Sequence, residues 1–263
     1  MGKRGVFYMF ASQRHDQIQV LLRENGAVTI AGLMETFGVS METARRDLAA
    51  MEKAGLLIRV HGGALPLDST QSYRPLQDRM QFQQSQKQAI ARAAAEFVNE
   101  GDYIAVGSGS TALAFAQELR KRFRRLTVVT YSLDVFDTLR DLPEYTLMIT
   151  GGVFKPTEGA FFGPAAEAFL SEIYVQKAFI FPLMLSLDKG LTDHTSPVPN
   201  MQMLVRQCDH VYVLADSTKF QKSAIYQISP MRQDFVYITD NHMPQALRSI
   251  YTDNHLHFIY AGE

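Results

Sequence analysis

The sequence predicts an α/β protein in two parts: an N-terminal winged helix-turn-helix domain and a C-terminal Rossmann-like domain built on a mostly parallel sheet. Three observations predict it. Over residues 12–66 apolar side chains recur at helical spacing between tight turns, and a glycine pair stands at 62–63. From about residue 85 onward, short apolar runs alternate with amphipathic stretches. Between them, Pro66-Leu-Asp-Ser-Thr-Gln-Ser-Tyr-Arg-Pro75 is polar, bounded by prolines and poor in apolar periodicity, as a linker is. The expected boundaries are 11–66, a linker at 67–84, and 85–263.

In the first domain, Ile18, Val20, Leu21 and Leu22 mark one face of a helix over about 13–24, ended by Gly26. Val28-Thr-Ile30 is a short extended piece. A second helix carries Leu33, Met34 and Phe37 and stops at Gly38. Ser40 sits where an N-cap belongs. A third helix runs from Met41 to about Ala54, with Ala44, Leu48 and Met51 inward, and Gly55 stops it. Leu56–Val60, His61-Gly-Gly63 and Ala64-Leu65 read as a β-hairpin turned by glycine.

The second domain opens with an alanine-rich helix from about Gln86 to Val98. Strands are expected at Tyr103–Val106, Leu126–Thr130, Tyr145–Ile149, Ala178–Phe181, His210–Leu214, Phe235–Thr239 and His257–Tyr260. Helices separate most of them, at Thr111–Arg120, Asp134–Arg140, Ala165–Ser171 and Met243–Tyr251. Such alternation implies parallel strands covered on both faces.

Composition narrows the function. A net charge of −1 excludes a protein basic along its whole length. Residues 1–66 nevertheless hold 8 Lys/Arg against 6 Asp/Glu, so any nucleic acid belongs to the N-terminal part. The single cysteine, Cys208, excludes an internal disulfide and a cysteine-rich zinc module, and suits the reducing cytoplasm. The longest apolar run, Ala178–Leu185, falls far short of the roughly 20 residues that span a bilayer, so no membrane partner is expected. Met1–Ala11 is too short for a secretory signal and reads as a frayed leader ahead of a second candidate start at Met9.

Helix, Gly38-Val-Ser40 turn, helix is the helix-turn-helix arrangement, and the N-terminal half of its second helix is the part that enters a major groove. That half carries Glu42, Thr43, Arg45, Arg46 and Asp47. Thr43 suits a thymine methyl or a phosphate, and an arginine suits guanine. Arg45 and Arg46 lie about 100° apart around the helix, so at most one points straight into the groove while the other clamps phosphate. In the wing, Arg59, His61 and Gly62 are placed to touch backbone or minor groove, and Ser40 stands at the turn. The same charges also suit an ordinary helical bundle facing water.

Met41-Glu-Thr-Ala-Arg-Arg-Asp-Leu48, followed by Gly55-Leu-Leu-Ile-Arg-Val-His-Gly-Gly-Ala64, resembles the DeoR family of bacterial transcriptional repressors. The resemblance covers nearly the whole chain. It implies a helix-turn-helix over about 28–47 and operator DNA as partner; a homodimer or homotetramer is expected because one head gives too small an interface and symmetric operators mirror protein symmetry. Further on, Ser108–Thr111, Thr130–Ser132, Thr150–Gly152 and Ala215–Phe220 resemble, in order, the motifs of that family's effector domain. That domain is similar to sugar-phosphate isomerases and coenzyme A transferases, and a phosphorylated sugar is the implied effector.

The residues themselves carry part of this. Gly107-Ser-Gly-Ser-Thr111 is a strand-to-helix loop whose backbone N–H groups favour a phosphate or carboxylate, although a plain tight turn fits it too. Ser132, Gly151, Gly152 and Lys219 fall at equivalent strand ends, where ligands of open α/β sheets settle. Lys219 is either the cation for an anionic ligand or a surface lysine. Gly107 stands where many family members carry an aspartate. Phe181-Pro-Leu-Met184 replaces a Gly-Ala-acid-Gly motif, and Pro197, Val198, Asn200 and Gln202 occupy places that tend to be charged. Either the effector is unusual or the sensor has decayed into a dimerisation platform. A sugar-phosphate isomerase, the enzymatic alternative, lacks the placed acid or base that its chemistry needs. His194 is expected to be a loop residue and Cys208 a buried thiol, with no catalytic residue, cofactor or metal site.

Overall fold

The computed structural model describes residues 9–25, 28–60, 62–66, 76–194 and 197–262. The chain divides into two compact units that part near residue 71.

In the first unit, α1 (Ala11–Asn25) leads to a two-residue strand β1 (Val28–Thr29), then α2 (Ile30–Phe37) and α3 (Met41–Lys53). The wing follows as β2 (Leu57–Val60) and β3 (Gly63–Pro66). Thr29 caps α2 by accepting the Gly32 N–H at 2.9 Å. Gly38 ends α2 with φ 63°, a left-handed turn that favours glycine and lets the chain re-enter a helix three residues later at Met41. Antiparallel pairing gives the order β1-β3-β2, so the wing is stitched back to the segment between α1 and α2. Ile18, Leu22, Leu33, Ala44, Leu48, Met51 and Leu57 close one core, with Val39 and Phe37 packed at its margin. Val20, expected on the inner face of α1, is 42% exposed, because it lies two residues from Ile18 and Leu22 and so on the opposite side of the helix.

The second unit begins with α4 (Leu76–Gln81) and α5 (Gln84–Ala95), then β4 (Tyr103–Val106), α6 (Ser110–Arg122), β5 (Thr127–Thr130), α7 (Leu133–Leu139) and β6 (Thr146–Ile149). A small hairpin follows, β7 (Val153–Lys155) with β8 (Ala160–Phe162), then α8 (Pro164–Ser171) and β9 (Val175–Ile180). Next come β10 (Met184–Ser186), β11 (Gly190–Asp193), α9 (Pro197–Arg206) and β12 (Cys208–Leu214). The chain continues through β13 (Tyr226–Ser229), β14 (Val236–Asp240), α10 (Gln245–Asp253) and β15 (His257–Ala261).

Seven strands form one sheet, β15-β14-β12-β9-β4-β5-β6, with every pair parallel. Alternate residues feed opposite faces. Ile104 and Val106 join the core under α5, α6 and α7, while Ala105 joins the core under α8, α9 and α10. The chain runs outward through β4, β5 and β6, then returns to lay β9 against the other side of β4. That reversal opens a crevice between the carboxyl ends of β4 and β9, the switch point at which such sheets hold ligands.

All seven sheet strands coincide with expected ones, whereas the antiparallel pieces β7–β8 and β10-β11-β13 have no expected counterpart. The stretch expected as linker, 67–84, contains α4, whose Leu76 is buried. Its remaining part at 67–75 lies outside the described residues.

Candidate functional sites

Ser40 caps α3 by accepting the Thr43 N–H at 3.2 Å, and the two hydroxyls lie 3.0 Å apart. This cap sets where the helix begins and which residues fall on each face. Ala44, Asp47, Leu48 and Met51 turn inward, while Glu42, Arg45 and Arg46 are exposed on the first two turns. A helix anchored along one side and carrying two free guanidinium groups on the other has the form of a groove reader.

Asp47 belongs to the anchor. Although charged, it is 6% exposed. Arg14 of α1 grips both of its oxygens, Nε to Oδ2 at 2.7 Å and Nη2 to Oδ1 at 3.0 Å, and His15 Nε2 lies 3.3 Å from Oδ1. This fork fixes the pitch of α3 against α1. In the wing, Arg59 donates its backbone N–H and its Nε to the two Glu52 oxygens at 3.0 and 2.9 Å, which ties β2 to α3 while leaving the guanidinium half-exposed. Gly62 takes a left-handed φ of 87° at the wing turn, and His61 lies outside the described residues.

At the sheet edge, the Gly107 N–H donates to the Phe179 carbonyl at 3.0 Å, which starts the β4 loop directly over the switch point. Ser108 and Gly109 follow. Ser110 and Thr111 open α6, whose first turn receives no side-chain cap. Uncapped N–H groups at the positive end of a helix suit an anion. Tyr131 is buried against this loop with its hydroxyl beside Gly107, and burial holds its phenol well above the ordinary range. Ser132 accepts the Val135 N–H at 3.3 Å, so its hydroxyl also serves as the N-cap of α7. Gly151 and Gly152 continue from β6 past Thr150, whose buried hydroxyl has no partner among the described residues. Lys219 ends a short 3₁₀ turn over Ser217–Lys219 after β12, the strand next to β9. Burial lowers its proton affinity, and the nearby Asp216 and Asp193 carboxylates oppose that shift. Its side chain is partly exposed.

Four further residues join this charged cluster without having been expected there. Asp193, at the end of β11, accepts the Leu183 N–H at 3.1 Å and the His194 N–H at 2.7 Å. Burial pushes its carboxyl up to about 7 and the His194 imidazole down to about 4. His194 is the loop residue expected, directly after β11, and after burial the Arg79 and Lys219 charges also lower its imidazole. Arg79 of α4 pairs with Glu158 at 2.6 Å, and Lys87 of α5 is 5% exposed with its ammonium shifted down to about 8 by burial. One signal for Lys87 was present in the sequence: it begins the i, i+3, i+4, i+7 stripe completed by Ile90, Ala91 and Ala94, all buried.

The neutral replacements are also in place. Phe181, Leu183 and Met184 are buried, as are Pro197, Val198 and Asn200 of α9. Asn200 donates to the Phe161 carbonyl at 2.9 Å, and its own carbonyl oxygen is buried without a partner among the described residues. Cys208 is half-buried, with its thiol shifted up to about 11. Among the described residues no cluster of His, Cys, Asp or Glu is arranged for a metal ion, and no helix is long and apolar enough to cross a membrane.

Two family models match the chain: the DeoR-like helix-turn-helix domain over residues 14–70 and the DeoR C-terminal sensor domain over 82–241. The chain is 33% identical over 230 residues to the transcriptional repressor AccR of Agrobacterium fabrum, covering 87% of this chain and 89% of that protein. It is 31% identical to the lactose phosphotransferase system repressor of Lactococcus lactis, covering 91% and 95% of the two chains. It is also 28% identical to the glycerol-3-phosphate regulon repressor of Escherichia coli, covering 94% and 98%. Among solved structures, ribose 5-phosphate isomerase A of Methanocaldococcus jannaschii aligns with a TM-score of 0.40 and 20% identity over 52% of this chain and 54% of that one. With an anchored reading helix and its wing in one unit and a matching sensor sheet in the other, the chain belongs to the DeoR family of DNA-binding transcriptional regulators.

Proposed function

We propose that this regulator is a cytoplasmic repressor of carbohydrate-metabolism genes that leaves double-stranded operator DNA when a phosphorylated sugar occupies the sheet edge. The proposed division of labour is DNA reading by 11–66 and effector binding with oligomerisation by 85–263. Ser40, Glu42, Thr43, Arg45, Arg46, Arg59, His61 and Gly62 are the proposed DNA contacts. Gly107–Thr111, Ser132, Gly151, Gly152 and Lys219 are the proposed effector contacts. The observation that carries the effector reading is the uncapped first turn of α6 beside the switch point. A lysine partly drawn out of water at an adjacent strand end supports it. The names of two relatives, which refer to glycerol 3-phosphate and to a lactose phosphotransferase system, fit such a ligand. A homodimer or homotetramer is proposed because one head offers a small interface and symmetric operators mirror protein symmetry.

The apolar wall of Phe181, Leu183 and Met184 favours a second reading, in which the DNA-binding head is retained and the sensor no longer responds. Release of the protein from DNA upstream of its own gene, followed by fluorescence anisotropy across a panel of phosphorylated sugars, separates the two. The effector reading expects at least one compound to release wild-type protein, with Lys219→Ala needing about tenfold more. No release by any compound supports the decayed sensor.

A further inference from the structure

A buried acid stands close to the loop that offers its N–H groups to an anion. A Cβ added at Gly107 would lie 3.2 Å from both the Phe181 ring and the Tyr131 hydroxyl, so these two side chains line the end of β4. Two residues past Phe181, the Leu183 N–H donates to Asp193 Oδ2 at 3.1 Å, and Asp193 Oδ1 accepts the His194 N–H at 2.7 Å. Asp193 is 7% exposed, and each of its oxygens keeps a lone pair beyond the one its N–H partner uses. It lies within electrostatic reach of Tyr131 and Lys219. On the same side of the sheet as Tyr131, α9 packs on β11. Asn200 of α9 donates its amide to the Phe161 carbonyl, and the Phe161 N–H donates to the Tyr131 carbonyl at 2.8 Å. Asn200 is 1% exposed, and its Oδ1 has no partner among the described residues.

What these two residues have left to offer is acceptors. An orphan carbonyl oxygen and the spare lone pairs of a carboxylate call for a donor, and an ammonium group is a donor only. Charge calls for the same group. Around the loop, Lys219, Lys87 and Arg79 are matched by Asp216, Glu158 and an ionised Asp193, while His194 stays neutral because its imidazole is held at about 4. A phosphate on the first turn of α6 then brings negative charge toward a buried carboxylate. That is costly unless Asp193 takes up a proton or the ligand carries a cation of its own. A hydroxyl on the ligand satisfies an acceptor but leaves the charge, whereas an ammonium satisfies both.

We propose that Asp193 is a specificity-determining residue that selects, among phosphorylated sugars, those carrying a free amino group, with Asn200 Oδ1 as the second acceptor. The inference rests on the reading of the sheet edge as a phosphate site. The phosphate lies on the first turn of α6, and the ammonium lies toward β11 and α9, donating to the Asp193 carboxylate and to Asn200. The buried Phe181 and Leu183 keep water from the interval between them, which strengthens the ion pair.

Calorimetric titration of the full-length protein tests this. The probes are glucosamine 6-phosphate and galactosamine 6-phosphate, each paired with the hexose 6-phosphate that bears a hydroxyl in place of the amine, and inorganic phosphate alone. At about pH 7.5 at least one amino compound is expected to bind about tenfold more tightly than its hydroxyl counterpart. The carboxyl of Asp193 is shifted up to about 7, so the preference fades toward about pH 6 as the acid takes its proton. Titration of the phosphate itself cancels within each pair. Asp193→Asn removes the charge, and both members of a pair then bind alike. Asn200→Ala lowers the preference. The wild-type pH series carries the test if Asp193→Asn does not fold. Equal binding within both pairs, a preference that does not fade with falling pH, or one that survives Asp193→Asn overturns the proposal and leaves the phosphate site standing. Binding of inorganic phosphate with no sugar phosphate bound overturns it as well. Failure of every compound, inorganic phosphate included, removes the phosphate site and the proposal with it.

Discussion

Three charged residues within one turn of α3 do different work, and burial separates them. Arg45 and Arg46 are exposed, so replacing either with alanine is expected to move unfolding stability by less than about 0.5 kcal/mol. Asp47 is enclosed, and Asp47→Asn leaves the Arg14 guanidinium, 12% exposed, facing a neutral amide. The expected loss is about 3 kcal/mol, read from denaturant unfolding of the full chain. Equal losses for all three variants would contradict the split between anchor and reading face. A second pair, Asp193 and His194, gives a pH signature. Their folded values of about 7 and about 4 compare with ordinary values of 3.8 and 6.5. Between about pH 4 and 6.5 the folded pair carries one proton, on Asp193, and the unfolded pair carries one, on His194, so the pair adds no slope to stability. His194→Gln exposes the Asp193 contribution. Folding then holds an extra proton, and stability falls as pH rises toward 7, by at most about 1.4 kcal/mol per unit. Asp193→Asn exposes the opposite contribution, with stability rising up to about pH 6.5 and level above. Urea midpoints of the two variants, taken as differences from the parent across this range, check both signs.

Among the elements, Gly151 and Gly152 are neighbours with opposite expectations. A side chain on Gly152 would place its Cβ 2.6 Å from the Phe162 carbonyl oxygen, at a φ of 118° that L residues rarely adopt. Gly152→Ala is therefore expected to unfasten the β7–β8 hairpin and cost about 3 kcal/mol or more. At Gly151 an added Cβ meets nothing within 4 Å. Gly151→Ala is expected to leave the melting temperature within a degree or so of wild type while lowering affinity for phosphate, as thermal shift with and without inorganic phosphate would show. The same scale shows what the sequence made legible. Buried parallel strands announce themselves as apolar runs between helices, and each of the seven was readable that way. The strands β7, β8, β10 and β11 are three or four residues long, too short for alternation to register. In α9, Pro197 and Pro199 hid a helix. Both fall in its first turn, where no intrahelical N–H is required. On the site, the glycine loops were legible because their backbone demands are local. Lys87 was legible only as part of a buried helical stripe, and Arg79 and His194 were not legible, because only the folded chain brings α4 and the end of β11 to one charge cluster.

Over the whole molecule the net charge is −1, so attraction to a polyanion has to be local. The first 66 residues hold the small positive excess, and the remainder is net negative. DNA affinity then depends on salt through the phosphates that particular cations neutralise, and each such contact contributes about 0.9 to the log–log slope. Whichever of Arg45 and Arg46 clamps phosphate should lower that slope by about 1 when replaced by alanine, with little change in sequence preference. The one that reads a base should relax preference at a single position at a cost of about 1–3 kcal/mol. Lys219→Ala removes the same formal charge from the sensor. Lys219 is partly exposed, the Asp216 and Asp193 carboxylates act on it with opposite charge, and charges farther from DNA than about 8–10 Å are screened in ordinary salt. Measured without effector, its slope should match wild type. Anisotropy titrations of the three variants across a salt series decide the matter. A slope reduced by Lys219→Ala as much as by the α3 arginines would put the sensor in contact with DNA and undo the separation of reading from sensing.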